Sequence, residues 1–299
     1  MLKQILSEHY DHEEKQYLDS VKYIIENGTL EKTRNGETLC SIGNTMIFNL
    51  ENDSIPILTT KKVAIKTCIK ELIWFIKGCT DNKVLKEQNV HIWDLNGTKE
   101  FLEKSGLSYD EDDLGPIYGH QWRFFNAPYT NCSTNYENKG IDQLAQVIEA
   151  LKDPEQRSSR RHIICAWNPC QIKEMALPPC HVLFQFHVTQ GNKLSCTLYQ
   201  RSCDIGLGVP FNIASYSALT ILIAKHCELQ PHEFIYFMGN THIYTDHIDG
   251  LTKQIQREPY EFPKLIIKRK CENINDYKLE DFEINNYKYH ETIKMKMSQ

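Results

Sequence analysis

Apolar residues recur along parts of this chain at the three-to-four-residue spacing of a helix with one buried face. The segments that show this spacing run from His12 to Asn27 and from Val63 to Lys77, and each is followed by a glycine, Gly28 and Gly78. A glycine just after the last periodic residue is a common helix stop. A further segment, Phe211 to Leu229, is apolar almost throughout, which predicts a mostly buried helix.

Alternation of apolar and polar residues, typical of strands, appears from His181 to Val188 and again from Leu194 to Gln200. The turn formers Gln190-Gly191-Asn192 lie between them, so we expect a β-hairpin. The segment from Tyr109 to Lys139 is polar and rich in turn residues, which predicts a surface excursion. Helices and strands mix without regular alternation, which favours an α/β fold of the α+β type over a doubly wound sheet.

Composition narrows the class of protein. The chain has 299 residues, 41% of them apolar, which supports a sizeable core, and its net charge of -5 argues against duplex nucleic acid as the main partner. Its 11 cysteines are odd in number and irregularly spaced, and no apolar signal segment opens the chain, so we expect reduced thiols in the cytoplasm, or in the nucleus. There is no Cys-x-x-Cys or His-Glu-x-x-His pattern, so we predict no metal site, and no apolar run is long enough to predict a membrane span.

Candidate chemistry concentrates around one cysteine. Cys180 stands between a Pro-Pro pair and a histidine, and Arg201, Ser202 and Asp204 follow close together further along the chain. A thiolate nucleophile, a cation for a phosphate and an acceptor for a polar ring suit covalent chemistry on a nucleotide. Taken alone, a cysteine in a strand-like stretch is more often a small core residue.

Other residues have both a structural and a functional interpretation. Arg160 and Arg161 form either a solvated charge run or a phosphate clamp, which Arg34 and Arg201 would join only if the fold brings them together. His242 and Tyr244 fall on the same side of an extended segment, as a strand-end polar pair or as ligands of a sugar hydroxyl.

Glu71 lies inside an apolar helical stretch, where a buried carboxylate would have a raised pKa suited to proton transfer. Trp93 is either part of the core or a stacking platform for a flat ring.

Long motifs along nearly the whole chain resemble the thymidylate synthase family. They are Leu58-Thr-Thr-Lys-Lys62, Glu71-Leu-Ile-Trp-Phe75, Ile92-Trp-Asp94, Asp113-Leu-Gly-Pro-Ile-Tyr-Gly-His-Gln-Trp-Arg123, Ser159-Arg-Arg161, Ala166-Trp-Asn168, Ala176–Phe186, Tyr199–Asp204 and Gly206-Leu-Gly-Val-Pro-Phe-Asn-Ile-Ala-Ser-Tyr216. The resemblance implies a single catalytic domain over residues 1–299, with a large mixed sheet that forms a homodimer interface. It also implies methylation of dUMP to dTMP, with 5,10-methylenetetrahydrofolate giving the one-carbon unit and the hydride and leaving as dihydrofolate.

The same resemblance implies roles for individual residues. Cys180 resembles the nucleophile that attacks C6 of the uracil, Glu71 the residue that organises proton transfers, and Tyr118 the helper in removing the C5 proton. The phosphate ligands would be Arg34 and Arg201 from one subunit with Arg160 and Arg161 from the other. The remaining nucleotide positions are Gln200, Ser202, Asp204, Asn212, His242 and Tyr244, with Asn212 reading the N3 and O4 edge of the ring. The folate-lining positions are Lys61, Ile92, Trp93, Asn96, Asp204, Leu207, Gly208 and Phe211, and Asp204 is also counted with the catalytic residues.

Alternative functions stay open at this level. A hydroxymethylase acting on dUMP or dCMP uses the same scaffold, although Asn212 favours uracil over cytosine. A non-catalytic nucleotide-binding or RNA-binding protein is a rival of another class, although binding alone would not need Cys180, Glu71 and Tyr118 together. Binding to its own mRNA cannot be read from the sequence. No dihydrofolate reductase segment is recognised, so we expect the stand-alone form of the enzyme.

Overall fold

The structure is a computed structural model, and it describes residues 10–33 and 36–296. Arg34, a predicted phosphate ligand, lies outside the described residues. The α-helices are α1 (Lys15–Asn27), α2 (Ile65–Ile76), α3 (Lys83–Lys86), α4 (Asp94–Gly97), α5 (Lys99–Lys104), α6 (Tyr118–Phe124), α7 (Gln143–Lys152), α8 (Gly208–His226) and α9 (Ile248–Gln254). The strands are β1 (Thr29–Thr33), β2 (Gly36–Asn49), β3 (Ile163–Cys165), β4 (His181–Thr189), β5 (Lys193–Asp204), β6 (Gln230–Tyr244), β7 (Lys264–Ile267) and β8 (Phe282–Asn285). Short 3₁₀ turns span Glu51–Asp53, Ile172–Glu174, Thr245–His247, Ile274–Asp276 and Leu279–Asp281.

A six-stranded mixed sheet organises the described chain, in the order β1-β2-β6-β5-β4-β3. Neighbouring strands are antiparallel except β5 and β6, which run parallel. Helix α8 makes the crossover that a parallel pair requires. The predicted α+β arrangement is confirmed, and β7 and β8 form a separate two-stranded ribbon.

One face of the sheet is buried in the core. Alternate residues of the central strands point to this face, and they pair across the sheet in continuous apolar rows. Helix α8, buried on nearly every side, packs over this face, and α2 lies against α8. The buried row includes Met46, Phe48, Phe184, Phe186, Leu194, Leu198, Phe234 and Tyr236.

The opposite face of the sheet leaves apolar side chains open. Tyr199 and Phe237 are register partners on β5 and β6, and they are 43% and 42% exposed. Leu183 on β4 is the other register partner of Tyr199, and Ile163 on the edge strand β3 is 43% exposed. Exposed apolar side chains on a sheet face are typical of an interface with another chain.

The helices α1 and α2 predicted from periodicity are confirmed, as are the apolar helix α8 and the β4–β5 hairpin. At the hairpin turn Gln190 and Gly191 both have positive φ, 49° and 82°, the conformation that such turns favour. The description of Tyr109 to Lys139 as a surface excursion is wrong for its middle part, because α6 lies there with Tyr118 and Trp122 buried.

The polar residues of α6 misled the sequence prediction because they are buried with partners. Gln121 is fully buried, and its side-chain amide donates to the Pro116 carbonyl at 2.8 Å and to Gln171 Oε1 at 3.0 Å. A buried amide with its hydrogen bonds satisfied costs little, so polarity was a poor guide to exposure here. Among residues 10–33 and 36–296, no helix has the length and apolar character that crossing a membrane would require.

Candidate active site

Cys180 lies directly before β4, beside a guanidinium group from the neighbouring strand β5. Arg201 Nη2 lies 4.0 Å from the Cys180 sulfur. Arg201 also donates from Nε to the Pro179 carbonyl at 2.9 Å and from Nη2 to the Pro178 carbonyl at 2.8 Å, and its guanidinium carbon lies 5.3 Å from the centre of the Trp167 ring. The Pro-Pro pair thus supplies acceptors that hold a cation beside the sulfur. A neighbouring cation favours the nucleophilic thiolate.

Glu71 is a buried carboxyl on α2, with 7% of its surface exposed. The indole nitrogen of Trp93 donates to Glu71 Oε1 at 2.7 Å. Burial raises the pKa of Glu71 from 4.5 to about 7, and the hydrogen bond from Trp93 opposes part of that rise. A carboxyl that titrates near neutral pH can both accept and return a proton during turnover.

Tyr118 joins these two groups from the start of α6. Its hydroxyl accepts a hydrogen bond from the backbone N–H of Cys180 at 2.7 Å. Its ring centre lies 6.1 Å from that of Trp93 and 4.8 Å from that of His181. Burial, with the nearby Cys180 as a smaller cause, raises the pKa of Tyr118 well above 10. The hydroxyl is therefore neutral at physiological pH, a form that can both donate and accept a hydrogen bond.

Asn212, on the first turns of α8, has its amide fixed from both ends. Its Nδ2 donates to His181 Nε2 at 2.7 Å, and its Oδ1 accepts from Gln200 Nε2 at 3.1 Å. Gln200 is itself held by the Tyr236 hydroxyl, which donates to Gln200 Oε1 at 2.6 Å. Burial lowers the pKa of His181 to about 3, so the ring is neutral and accepts at Nε2. The amide orientation of Asn212 is thus set before any ligand arrives.

His242 and Asp204 meet where the parallel strands β5 and β6 end, because they are register partners. His242 Nδ1 is hydrogen-bonded to Asn240 Oδ1 at 3.0 Å, and its ring centre lies 5.5 Å from that of Tyr244. This contact agrees with the prediction that His242 and Tyr244 share one side of an extended segment. Burial lowers the pKa of His242, while the charge of Asp204 opposes that change.

The loop between β5 and α8 is held from two sides. Asp204 Oδ1 accepts from the backbone N–H groups of Gly206 at 2.9 Å and Leu207 at 3.3 Å. The ammonium of Lys61, a side chain with 6% exposure, donates to the Gly206 carbonyl. Burial lowers the pKa of Lys61 to about 8, and Asp204 opposes this change. The loop that leads to Gly208 is therefore rigid at its backbone.

The other folate-lining positions named from the sequence lie on two elements. Phe211 is half-buried on the first turn of α8, and Ile92 and Asn96 are half-buried around α4. Two of the folate-lining positions are hydrogen-bonded to catalytic candidates, Trp93 to Glu71 and the backbone of Leu207 to Asp204.

The arginines of the predicted phosphate clamp do not all lie near Cys180 within a single chain. Arg201 stands beside Cys180, whereas Arg160 and Arg161 are exposed on the loop that precedes β3. Within residues 10–33 and 36–296 neither Arg160 nor Arg161 forms an ion pair with a carboxylate. Ser202 is half-buried on β5, where its carbonyl accepts from Gln200 Nε2 at 2.9 Å.

Sequence reasoning missed His181, Trp167 and Tyr236 as parts of the site. His181 orients Asn212, Trp167 stacks on Arg201, and Tyr236 holds Gln200. His181 and Trp167 both lie inside motifs already noted, so their positions carried a signal. Tyr236 reads only as a core residue of a strand. Across the described residues, no cluster of His, Cys, Asp and Glu side chains could hold a metal ion.

Comparison with known proteins gives one family. A sequence profile described as thymidylate synthase matches residues 15–299. The chain is 52% identical over 290 residues to thymidylate synthase 1/2 of Encephalitozoon cuniculi, covering 96% of this chain and 98% of that protein. It is 50% identical over 297 residues to thymidylate synthase of Saccharomyces cerevisiae, covering 96% and 97%. It is also 50% identical over 290 residues to the bifunctional dihydrofolate reductase-thymidylate synthase of Paramecium tetraurelia, of which it spans 62%.

Proposed function

The chain belongs to the thymidylate synthase family, and we propose that its Cys180 initiates methylation of dUMP by adding to C6 of the uracil ring. The family assignment makes the chain a methyltransferase that forms dTMP. The observation that carries the proposed role of Cys180 is the Arg201 guanidinium 4.0 Å from the sulfur, anchored on the two proline carbonyls. Addition of the thiolate leaves C5 as an enolate-like carbon that can accept a one-carbon unit.

Each neighbouring group has a task in this scheme. Asn212, held by His181 and Gln200, faces the N3 and O4 edge of uracil, donating to O4 and accepting from N3–H. Glu71 accepts and returns protons near neutral pH, and Tyr118 keeps its hydroxyl beside the reacting carbon by its bond from the Cys180 N–H. His242 and Tyr244 bind the sugar, and Asp204 orders the loop before α8.

A folate co-substrate fits the described residues. Half-buried Phe211 and Ile92 offer apolar surface for a flat ring, and the ordered Gly206–Gly208 backbone and Asn96 offer hydrogen bonds. Trp93 is tied to Glu71 and packs against the ring of Tyr118. When bound, 5,10-methylenetetrahydrofolate supplies the methylene group and the hydride. Lys61 acts by holding the Gly206 carbonyl, because its ammonium is buried there.

A direct test uses 5-fluoro-dUMP, whose C5 fluorine replaces the proton that must leave C5 and so traps the adduct. With the folate present, mass spectrometry should place the adduct on Cys180. Cys180→Ser should form no adduct and no dihydrofolate by absorbance, whereas Cys170→Ser, at an exposed cysteine, should behave as the parent. An adduct on another cysteine would overturn the assignment. Turnover of dUMP without dihydrofolate would indicate a hydroxymethylase.

We also propose that two chains pair through the open sheet face that carries Tyr199 and Phe237 and share their sites. The exposed apolar side chains on that face and the exposure of Arg160 and Arg161 support this arrangement, in which each chain lends these arginines to the partner's phosphate. Arginine suits such a site because its forked donors match phosphate oxygens.

Complementation tests the shared site. Homodimers of Arg161→Ala and of Cys180→Ser should each be nearly inactive. When the two variants are refolded together and pair at random, up to about one quarter of the sites should be active. In each heterodimer one site contains both substitutions and the other contains neither. If heterodimers form and activity stays absent, Arg161 acts within its own subunit.

We propose two further features of the protein, its domain organisation and its location. A single catalytic domain is supported by the one contiguous apolar core of the described residues. A cytoplasmic or nuclear location is supported by the cysteine content, since no disulfide joins cysteines within the described chain.

A further inference from the structure

A basic cavity opens on the side of the core away from Cys180. It has a volume of about 560 Å³ and lies where the ends of α7 and α8 meet the segment after β7. Its charged and polar lining comprises Lys152, Arg157, His226, Glu228, Lys270 and Glu272. His226 ends α8, the helix that carries Asn212 near its other end, so about 20 Å of helix separates this cavity from the nucleotide site.

Hydrogen-bond donors exceed acceptors in the basic cavity. Lys152 Nζ donates to His226 Nε2 at 3.0 Å, and no carboxylate of the described residues pairs with it. Arg157 Nη2 donates to the Lys152 carbonyl at 3.3 Å, while Arg157 Nε is buried and has no hydrogen-bond partner among the described residues. An arginine has five N–H donors and a lysine three, so most donors of Arg157 and Lys152 have no acceptor among the described residues. Because Arg157 Nε is itself buried, the donors of Arg157 that a ligand in the cavity can reach are its terminal N–H groups.

Three cationic side chains line the cavity against two carboxylates, Glu228 and Glu272, both of which are exposed. Lys270 pairs with Glu228, whose side chain is 79% exposed, and that exposed carboxylate is screened by water. Burial lowers the pKa of His226 to about 4, so the neutral ring accepts from Lys152 and holds it in place. Burial raises the pKa of Cys227 to about 11, so this lining thiol is uncharged.

We propose that the basic cavity binds a phosphate group, with Arg157 and Lys152 as the principal donors and Lys270 at the rim. The forked guanidinium suits two phosphate oxygens, and the ammonium fixed by His226 suits a third. The volume exceeds what a free phosphate fills, so the group can be inorganic phosphate or the phosphate of a nucleoside monophosphate. This site does not depend on the proposed function, because it shares no residue with the nucleotide site around Cys180.

Calorimetric titration at constant ionic strength tests the site, with saturating dUMP present to occupy the nucleotide site. Inorganic phosphate should bind with one equivalent per chain. Arg157→Gln and Lys152→Gln should each weaken binding about tenfold or more, as expected for losing a charge-assisted hydrogen bond. The matched control Lys104→Gln, at an exposed lysine that ends α5, should bind phosphate as the parent does. Circular dichroism and dUMP binding should be unchanged in all variants.

A second arm identifies the source of the phosphate. If AMP binds more tightly than inorganic phosphate and loses that affinity in Arg157→Gln, the site takes a nucleoside monophosphate. If the two bind equally, the site takes the phosphate group alone. The proposal is overturned if phosphate gives no heat once dUMP is saturating, or if Arg157→Gln and Lys104→Gln bind it equally well.

Discussion

Replacing Glu71 with glutamine should separate a catalytic loss from a gain in stability that depends on pH. Glutamine keeps the shape of the side chain and an oxygen that can accept from Trp93 Nε1, now 2.7 Å from Glu71 Oε1. It removes the ionisable carboxyl, so we expect kcat to fall about a hundredfold, the usual effect of losing a general acid–base group. The structure also predicts that the same change stabilises the folded protein at alkaline pH.

The magnitude follows from the pKa of Glu71, which burial raises from 4.5 to about 7. The folded protein therefore holds the Glu71 proton more tightly than the unfolded chain does. This contribution to stability is fully present below pH 4.5 and is lost as the pH rises through about 7. At about 1.4 kcal/mol for each pKa unit, the buried carboxylate costs about 3 kcal/mol above pH 8. Glutamine avoids this cost.

Urea unfolding of wild type and Glu71→Gln at pH 5 and pH 8.5 measures the effect, at one protein concentration because the protein is proposed to be a dimer. The difference in unfolding free energy between variant and wild type should grow by about 2–3 kcal/mol in favour of the variant from the lower to the higher pH. Glu149→Gln, on the exposed side of α7, should show no such change. If the two variants behave alike, Glu71 does not titrate near 7 and its proton-transfer role loses its support.

Three further substitutions probe the site. Asn212→Asp should raise the activation free energy for dUMP by about 2–4 kcal/mol, because a carboxylate repels O4 of uracil, and should increase kcat/KM for dCMP. Equal kcat/KM values for dUMP in variant and parent would refute the role. Tyr118→Phe removes the hydroxyl that accepts from the Cys180 N–H at 2.7 Å, so kcat should fall while KM for dUMP changes little. A normal rate of tritium release from C5 would contradict this. Lys61→Met removes the donor to the Gly206 carbonyl and should raise KM for the folate several-fold, as measured by initial rates at saturating dUMP. An unchanged KM would show that the loop does not depend on Lys61.

Local sequence patterns correctly predicted the helices and the hairpin whose formation depends mainly on neighbouring residues. The helices α1 and α2 follow from apolar periodicity, and the β4–β5 hairpin follows from alternation around Gly191. The helix α6 could not be predicted in the same way, because Gln121 is buried through hydrogen bonds to residues far along the chain. Such partners are invisible to a reading of one segment at a time.

The site shows the same division between local and distant effects. The burial of Glu71 could be predicted from the sequence, because the helical residues around it are apolar and such residues are mostly buried. That Trp93 donates to it, or that Arg201 is fixed by the Pro178 and Pro179 carbonyls, depends on how separate segments meet. The family resemblance named most of these residues without explaining why they lie together.

The one parallel pair in the sheet explains why they lie together. If β6 followed β5 as an antiparallel hairpin, the end of β5 would face the start of β6, and Asp204 would lie far from His242. The buried crossover helix α8 instead carries the chain back to the edge of the sheet where β5 begins. Strand β6 therefore runs in the same direction as β5, and the two strands end side by side with Asp204 and His242 in register. Because α8 begins directly after β5, it also brings Asn212 back over that edge, within hydrogen-bond distance of Gln200 and His181. The position of Asn212 therefore depends on the packing of α8, so polar substitutions in the buried middle of this helix should weaken nucleotide binding although they do not contact the nucleotide.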